Sequence, residues 1–162
     1  MKTIVVYATR YGCTEKCAGM LAEKLGGEVE LCNLKRDRVD DLSAYDRVVI
    51  GGSIYIGKIQ KEVTAFCTKH LNELKEKQVG LFICCMSEEA AEKQLHSSFP
   101  PELLARASAR GCFGGEFIFG RMKGLDRFIA KKVSKAEQDV FRIDETRIAE
   151  FARTLNTNSA LA

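Results

Sequence analysis

The chain has 162 residues, a hydrophobic fraction of 46% and a formal net charge of +3. That length fits a single domain with a sizeable buried core, and the composition is that of an ordinary globular protein without low-complexity segments. So small a net charge does not by itself indicate a nucleic-acid partner, and no apolar run approaches the roughly 20 residues of a membrane-spanning helix.

Strands and helices alternate in the predicted order of elements. Continuous apolar runs predict strands that are buried on both faces, and apolar residues at helical spacing predict the helices between them. The predicted strands are residues 3–8, 29–34, 47–52, 79–85 and 111–119. The predicted helices are residues 14–25, 59–74, 102–110, 121–133 and 144–155, with one more that Ser87 caps and Pro100 ends.

This alternation predicts an α/β fold: a doubly wound five-stranded parallel sheet with helices on both faces. In such a sheet ligands bind beyond the carboxyl ends of the strands, at the switch point of the topology. The loops after the first, third and fourth strands are therefore expected to carry the chemistry. Residues 1–156 are predicted to form one domain, and residues 157–162 a frayed tail.

Seven cysteines are many for a chain of this length. No charged and then apolar leader opens the sequence, so we expect reduced thiols in the cytoplasm. No two cysteines show C-x-x-C spacing: Cys13 and Cys17 are four apart, and Cys84 and Cys85 are adjacent. Neutral core cysteines are therefore favoured over a zinc site, and no metal is predicted.

The loop after the first predicted strand has the features of a phosphate site. It reads Thr9-Arg10-Tyr11-Gly12-Cys13-Thr14 and leads directly into a helix. Two hydroxyls, a glycine that permits close backbone approach and a helix N-terminus suit a phosphate dianion. The G-x-G-x-x-G fingerprint of dinucleotide sites is absent, and a plain strand-to-helix turn with Thr14 as N-cap is the alternative.

The loop after the third predicted strand reads Gly51-Gly52-Ser53-Ile54-Tyr55-Ile56-Gly57-Lys58. Its glycines allow the backbone to lie against a flat ring, on which Tyr55 can stack. Residues 52–58 also fit the G-x-x-x-x-G-K spacing of a nucleoside-triphosphate loop, but Ile59 stands where serine or threonine should bind magnesium. A response-regulator receiver would need an aspartate at the end of the third strand, where the two glycines stand, so that class is excluded.

Together the two loops resemble those of the flavodoxin family, and the order of elements agrees with that family from residue 2 to about residue 155. The resemblance implies a flavodoxin-like domain that binds flavin mononucleotide (FMN). It implies a phosphate site at Thr9, Arg10, Tyr11, Gly12, Cys13 and Thr14. It implies a ring site lined by Ser53, Ile54, Tyr55, Ile56 and Gly57 and, by position alone, by Met86, Ser87 and Glu88. No side chain is assigned a catalytic role, because the chemistry would lie on FMN.

The charge departs from that of the electron-carrying flavodoxins, which are typically strongly acidic. This chain is mildly basic, and its ring loops offer Lys58 as well as Glu88 and Glu89. A basic neighbour favours a negatively charged reduced ring, whereas an acidic one opposes it. We therefore expect a less negative low-potential couple than in an acidic carrier, which an anaerobic redox titration would measure.

A second departure is a basic helical insert at about residues 120–139. Residues 121–135 carry six basic side chains and one acidic one, a net charge of +5. Four apolar residues in this stretch fall at helical spacing: Met122, Leu125, Ile129 and Val133. The pattern is typical of a helix that contacts a membrane surface or a partner, and also of a surface helix whose apolar stripe packs on the sheet. RNA binding is disfavoured because no aromatic-rich platform accompanies the charge.

The insert resembles that of one branch of the family, the menaquinone-dependent protoporphyrinogen dehydrogenases, which carry a basic segment with a similar core. Here the core reads Leu125-Asp126-Arg127-Phe128. The resemblance implies FMN-mediated transfer of hydrogen from a porphyrinogen to a quinone near a membrane. We therefore expect a cytoplasmic oxidoreductase with a redox partner or quinone, and with peripheral membrane contact through residues 121–135 as an open alternative.

Three classes of function stay open. The basic insert favours a flavin enzyme that acts on a porphyrinogen or a quinone. The compact single domain favours a soluble flavodoxin-type electron carrier, and a binding module that has kept the fold without the flavin is the third class. The sequence does not determine the oligomeric state.

Overall fold

A computed structural model of the chain describes residues 1–134 and 138–159. The central sheet contains the parallel strands β1 (Lys2–Ala8), β2 (Glu28–Asn33), β3 (Arg47–Ser53), β4 (Gln78–Cys84) and β5 (Ala109–Cys112). The helices are α1 (Cys13–Ala22), α2 (Lys61–Lys69), α3 (Leu71–Leu74), α4 (Glu88–Ser98), α5 (Pro101–Arg106), α6 (Gly124–Ser134) and α7 (Glu145–Ser159). Two short strands, β6 (Gly114–Phe117) and β7 (Val140–Ile143), form a separate antiparallel pair.

The order of strands in the central sheet is β2-β1-β3-β4-β5, and every neighbouring pair is parallel. This is the order of flavodoxin-like doubly wound sheets. It confirms the α/β fold predicted from the alternation of strands and helices. The winding reverses between β1 and β3, so the loops that follow these two strands flank the switch point.

Each face of the sheet carries its own hydrophobic core. Alternate residues of the strands point to opposite faces, so Ile4 and Val6 pack with α2, α4 and α5, whereas Val5 and Tyr7 pack with α1 and α7. Both faces of the inner strands are therefore buried, which is why their sequences are apolar without alternation. The loops that follow the strands all lie at the carboxyl edge of this parallel sheet.

The predicted fifth strand, residues 111–119, is two strands in the structure. β5 begins earlier, at Ala109, and the chain leaves the central sheet after Cys112. At Gly114 the backbone turns with φ +73°, and a Cβ there would lie 1.9 Å from the carbonyl oxygen of Arg142. β6 then pairs with β7. The sequence did not predict β7, because its four residues are too few to show the alternation of a strand.

Several predicted helices differ in their bounds from those of the structure. The predicted helix 59–74 is broken into α2 and α3 at His70, whose buried imidazole lies 3.0 Å from the carbonyl oxygen of Val39 and 2.7 Å from Oε1 of Glu73. The predicted helix 102–110 ends at Arg106, because Ala109 already belongs to β5. The predicted last helix ends at Leu155, whereas α7 continues to Ser159; residues 160–162 of the predicted tail lie outside the described residues.

Gly51 leaves space for an aromatic ring in the core. A Cβ on Gly51 would lie 2.0 Å from Cζ of Phe82 on the neighbouring strand. We expect Gly51→Ala to lower the free energy of unfolding by about 3 kcal/mol, because the crowded core must shift. Gly19→Ala in α1, where nothing lies within 4 Å, is the control and should be neutral or slightly stabilising in urea unfolding. Equal midpoints for the two variants would contradict this account.

Candidate functional site

The β1 loop, residues 9–14, passes directly from the sheet into α1. Gly12 has φ +98°, and its backbone N–H donates to Oγ1 of Thr9 over 2.9 Å. Only glycine takes this left-handed conformation without strain. The turn places the N-terminus of α1 at the carboxyl edge of the sheet, where its partial positive charge suits an anion.

The N-terminus of α1 has no side-chain cap. The N-cap is Gly12, not Thr14, which corrects the alternative raised from the sequence. Oγ1 of Thr14 is buried and has no hydrogen-bond partner in residues 1–134 or 138–159. A buried polar group without a partner costs about 1–3 kcal/mol. An anion that accepts from this hydroxyl would remove the cost, so the residues fit a phosphate.

A guanidinium approaches the β1 loop from a distant part of the chain. Arg121 lies in a 3₁₀ turn, Phe119–Arg121, and a Cβ built on Gly12 would be 3.8 Å from its Nη1. Arg10, within the loop, is engaged elsewhere: its Nε and Nη2 lie 2.9 and 2.6 Å from Oδ2 of Asp126. Arg121 therefore supplies positive charge beside the helix N-terminus, and the sequence analysis did not identify it.

The β3 loop, residues 53–58, closes in a tight turn. Tyr55 and Lys58 exchange two backbone hydrogen bonds, of 2.9 and 3.1 Å. The two residues between them, Ile56 and Gly57, have φ values of +47° and +72°. Two successive left-handed residues are typical of a type I′ turn. Ile56 is strained in this turn, because a β-branched side chain disfavours positive φ.

We expect Ile56→Asn to raise the free energy of unfolding by about 1 kcal/mol, because asparagine tolerates the left-handed conformation. Ile56→Val keeps the β-branch and is the matched control, which should gain nothing. Denaturant unfolding of the ligand-free protein measures both. A gain in the valine variant, or none in the asparagine variant, would show that the turn is not strained.

Asp126 of α6 joins the β1 loop to the β3 loop. The hydroxyls of Tyr11 and Tyr55 both donate to its carboxylate, and the guanidinium of Arg10 binds the same group. The Arg10 guanidinium also lies 3.9 Å from the centre of the Tyr55 ring. The hydrogen bonds from Tyr11, Tyr55 and Arg10, in that order, lower the pKa of Asp126 to about 2. The carboxylate is therefore ionised near neutral pH and ties α6 to both loops.

One cavity of about 290 Å³ lies at the carboxyl ends of β1, β3 and β4. We call it the switch-point cavity. Its walls are formed by the β1 loop, by the β3 loop, by the residues that follow β4, and by β6 and α6 themselves. Its volume is near the lower end of the roughly 300–1,000 Å³ of small-molecule sites. The residues predicted for FMN that line it are Thr9, Arg10, Tyr11, Cys13, Ser53, Ile54, Tyr55, Ile56, Gly57, Met86 and Ser87.

Three residues predicted for the site do not line the cavity. Gly12 and Thr14 belong to the turn that begins α1. Glu88 points away: Ser87 caps α4 by accepting from the N–H of Ala90, and the exposed Glu88 carboxylate lies 3.3 Å from the guanidinium of Arg147. Glu88 was predicted by position alone. It does not line the cavity because it is the first residue of α4 and its side chain lies beside Arg147 instead.

The glycines before the β3 loop also have a role different from the predicted one. The sequence analysis assigned Gly51 and Gly52 to close approach of a flat ring. In the structure their open sides are filled by the protein itself, by Phe82 at Gly51 and by Ile59 and Gln60 at Gly52. Gln60 also accepts from the backbone N–H of Ser53 over 3.0 Å, so it holds the start of the β3 loop.

One whole wall of the cavity was not predicted from the sequence. Residues of β4, α4, β6 and α6, together with Cys85 after β4 and Met122 before α6, complete the lining: Cys84, Cys85, Gln94, Gly115, Glu116, Phe117, Met122, Asp126, Ile129 and Ala130. One signal was present, because Asp126 is the single acidic residue among six bases in residues 121–135. A lone acid in a basic helix needs a partner, and its partners are Arg10 and two tyrosines.

The insert between β6 and β7, residues 118–139, has one buried side and one exposed side. Met122 and Ala130 are buried with Phe119, beside the cavity rather than on the sheet. Leu125 and Phe128 face outward, with 71% and 65% of their surface exposed. The side chain of Val133 lies outside the described residues. In the part of the chain described, no helix has the length and apolarity to cross a membrane.

Three buried thiols meet beside the cavity. The Sγ atoms of Cys13, Cys17 and Cys84 all lie within 4.8 Å of one another. Hydrogen bonds from Cys17 and Cys84 lower the pKa of the Cys13 thiol to about 4. Cys84 comes from β4 and the other two from α1, so the spacing of cysteines in the sequence could not indicate this cluster. That no metal binds here stays a prediction.

Comparison with known proteins agrees with this architecture. The chain is 27% identical over 171 aligned residues to protoporphyrinogen IX dehydrogenase [quinone] of Escherichia coli K12, covering 96% of this chain and 94% of that protein. The solved structure of oxidised flavodoxin 2 from Bacillus cereus matches with a TM-score of 0.62 at 19% identity, over 98% of this chain and 99% of that one.

A short-chain flavodoxin associated with a bacterial microcompartment matches with a TM-score of 0.64 at 17% identity, over 98% of this chain and 99% of that one. Structural matches at such identities establish the fold. The family model described as a flavodoxin domain matches residues 4–144, most of the chain. The protein therefore belongs to the flavodoxin family.

Proposed function

We propose that the protein is an FMN-dependent oxidoreductase that transfers hydrogen from a porphyrinogen to a quinone. The observation that carries the proposal is the switch-point cavity, where the β1 loop, the β3 loop and the insert line one space. Membership of the flavodoxin family supports a flavin in that space. Similarity to a quinone-dependent protoporphyrinogen IX dehydrogenase supports the substrates.

The phosphate of FMN would bind at the N-terminus of α1. The residues that would hold it are Gly12, whose turn exposes backbone N–H groups, Thr14, whose hydroxyl lacks a partner, and Arg121, whose guanidinium is close. A helix N-terminus, a hydroxyl and a guanidinium are complementary to a dianion. The first two were expected from the sequence, and the proximity of Arg121 to Gly12 supports including the third.

The ring of FMN would lie between the β3 loop and the residues after β4. Tyr55 and Ile54 supply one side, and Met86 and Ser87 the other. When bound, FMN supplies the capacity to accept and release hydrogen equivalents. Met122, Ile129 and Ala130 of the insert restrict water from the third side, and Asp126 fixes the orientation of Tyr55.

The outward face of the insert would contact the membrane in which quinones dissolve. Leu125 and Phe128 are exposed, and Arg127, Lys131 and Lys132 on the same helix are exposed as well. Apolar side chains flanked by basic ones are typical of helices that lie in the interface of an anionic membrane. Peripheral contact of this kind would bring the cavity close to a quinone.

We expect Phe128→Ser to reduce binding to vesicles that contain anionic lipid by about tenfold, because burying a phenylalanine contributes about 1.5–3 kcal/mol. Phe141→Ser on β7 is the matched control, since Phe141 is equally exposed, at 65%, but lies outside α6. Co-sedimentation with vesicles measures both variants. Equal losses would show that exposure alone, and not the insert, determines binding.

The function is tested by reconstituting the protein with FMN and following the oxidation of protoporphyrinogen IX with a menaquinone analogue as acceptor. We expect porphyrin fluorescence to rise only when FMN and the quinone are both present. A protein that binds FMN tightly but does not react with the quinone would instead be an electron carrier. Failure to bind FMN would contradict both functions.

A further inference from the structure

Two thiols outside the phosphate site meet between the ends of β4 and β5. Cys112 is the last residue of β5, and Cys85 directly follows β4; the two strands pair in parallel, with Ile83 opposite Cys112. The two Sγ atoms lie 3.1 Å apart. A disulfide bond of about 2.05 Å would need them to approach by only about 1 Å more.

The two sulfur atoms differ in their access to solvent. Cys112 is half-buried and lines an open surface cleft together with Glu92, Leu95 and Arg110. Cys85 is buried and belongs to the wall of the switch-point cavity. Cys112 is therefore the residue of the pair that borders the surface cleft, and Cys85 is the one that borders the switch-point cavity.

Their protonation differs as well. The thiol of Cys85 and the backbone N–H of Gly114 hydrogen-bond to Cys112, and with the charge of Arg147 they lower the pKa of Cys112 to about 6. The same thiol contact and burial raise the pKa of Cys85. Of the two sulfur atoms, Cys112 therefore has the greater thiolate character, and Cys85 the greater tendency to keep its proton. An accessible thiolate beside a second cysteine is the arrangement of oxidation-sensitive pairs.

We propose that Cys85 and Cys112 form a redox-active pair that hydrogen peroxide converts to a disulfide. In the first step the Cys112 thiolate attacks one oxygen of the peroxide: an S–O bond forms, the O–O bond breaks, and the leaving hydroxide takes a proton to become water. In the second step Cys85 loses its proton and attacks the Cys112 sulfur: the S–S bond forms, the S–O bond breaks, and hydroxide leaves as a second water. The two thiols lose two electrons in total, and a dithiol reductant returns them.

The other cysteines lack this combination. Cys67 is buried on α2, and burial raises the pKa of its thiol to about 12. Burial likewise raises the pKa of Cys32 to about 11. Cys13 also has a lowered pKa, but it is buried, as are Cys17 and Cys84 beside it, and it faces the switch-point cavity that the cofactor would fill rather than the surface cleft. The structure therefore assigns peroxide sensitivity to one pair among the seven cysteines.

The experiment exposes the folded, FMN-loaded protein to a small excess of hydrogen peroxide, blocks the remaining thiols, and maps tryptic peptides by mass spectrometry. We expect peptide 78–93 linked to peptide 111–121, with two thiols lost and recovered after treatment with dithiothreitol. Peptide 78–93 contains both Cys84 and Cys85, so fragment ions between them assign the bond. The same linkage is expected in FMN-free protein, because the cleft does not depend on the cofactor.

Variants separate the two neighbouring cysteines. In Cys84→Ala, the matched control, the linked peptide should persist. In Cys85→Ser, whose hydroxyl can still donate to the Cys112 sulfur, it should vanish, and a dione reagent should label Cys112 as a sulfenic acid. A bond from Cys84, a bond within the Cys13 cluster, or no bond at a peroxide dose that oxidises free cysteine would each overturn the proposal.

Discussion

Thr14→Val is expected to stabilise the FMN-free protein and to weaken FMN binding. The hydroxyl of Thr14 is buried without a hydrogen-bond partner in the described ranges, so an isosteric methyl group removes a desolvated polar atom. We expect the free energy of unfolding to rise by about 1 kcal/mol. We expect the dissociation constant of FMN to rise by about tenfold or more, because a hydrogen bond to a charged group contributes about 1.5–3 kcal/mol.

Thr3→Val is the matched control for this prediction. Thr3 is also buried, and its Oγ1 also lacks a partner within residues 1–134 and 138–159. It lies at the amino end of β1, however, whereas the cavity lies at the carboxyl end. Both variants should gain stability in denaturant unfolding, and only Thr14→Val should lose affinity in a fluorescence titration with FMN. Equal affinities would show that Thr14 does not contact the phosphate.

Asp126→Ala is expected to speed the release of FMN by about tenfold. The Asp126 carboxylate accepts from Tyr11 and Tyr55 and binds Arg10, so its loss detaches α6 from both loops that flank the cavity. Without this carboxylate, α6 opens more readily, so bound FMN leaves the cavity sooner. Because FMN fluoresces when free, release after dilution can be followed directly.

Arg127→Ala is the control on the same helix, since Arg127 is the next residue and is exposed. It should leave the release rate unchanged. Limited digestion with trypsin gives a second readout: cleavage at Lys131 and Lys132 should become faster in Asp126→Ala, because a detached helix opens more readily. If the two alanine variants released FMN at the same rate, Asp126 would not hold α6 against the two loops.

The fold was predictable because its signals are local. The buried strands at residues 3–8 and 47–52 are continuous apolar runs, and in the helices apolar residues recur every three or four positions. β7 and the break at His70 were not predictable, because they depend on contacts with β6 and with Val39 that are distant in the sequence. Local pattern indicates an element, but tertiary pairing determines where it ends.

The site was predictable only in part, and for the same reason. The β1 and β3 loops are contiguous motifs that follow buried strands, so sequence alone placed them at one edge of the sheet. The α6 wall of the cavity could not be placed, because nothing in residues 121–135 indicates which surface the helix covers. Arg121 lies close to Gly12 although the two positions are more than 100 residues apart in the sequence. No local pattern in the sequence indicates a contact of this kind.

The ladder between β6 and β7 makes the insert modular. Gly114 pairs with Ile143 and Phe117 with Val140, so the two ends of the insert leave the domain side by side. Closing a loop costs only about 0.6 kcal/mol more for each doubling of its length. A family member can therefore lengthen, shorten or exchange this segment with little effect on the sheet beneath it. The sheet and the insert can then evolve at different rates, provided that contacts such as those of Asp126 continue to tie the insert to the loops beneath it.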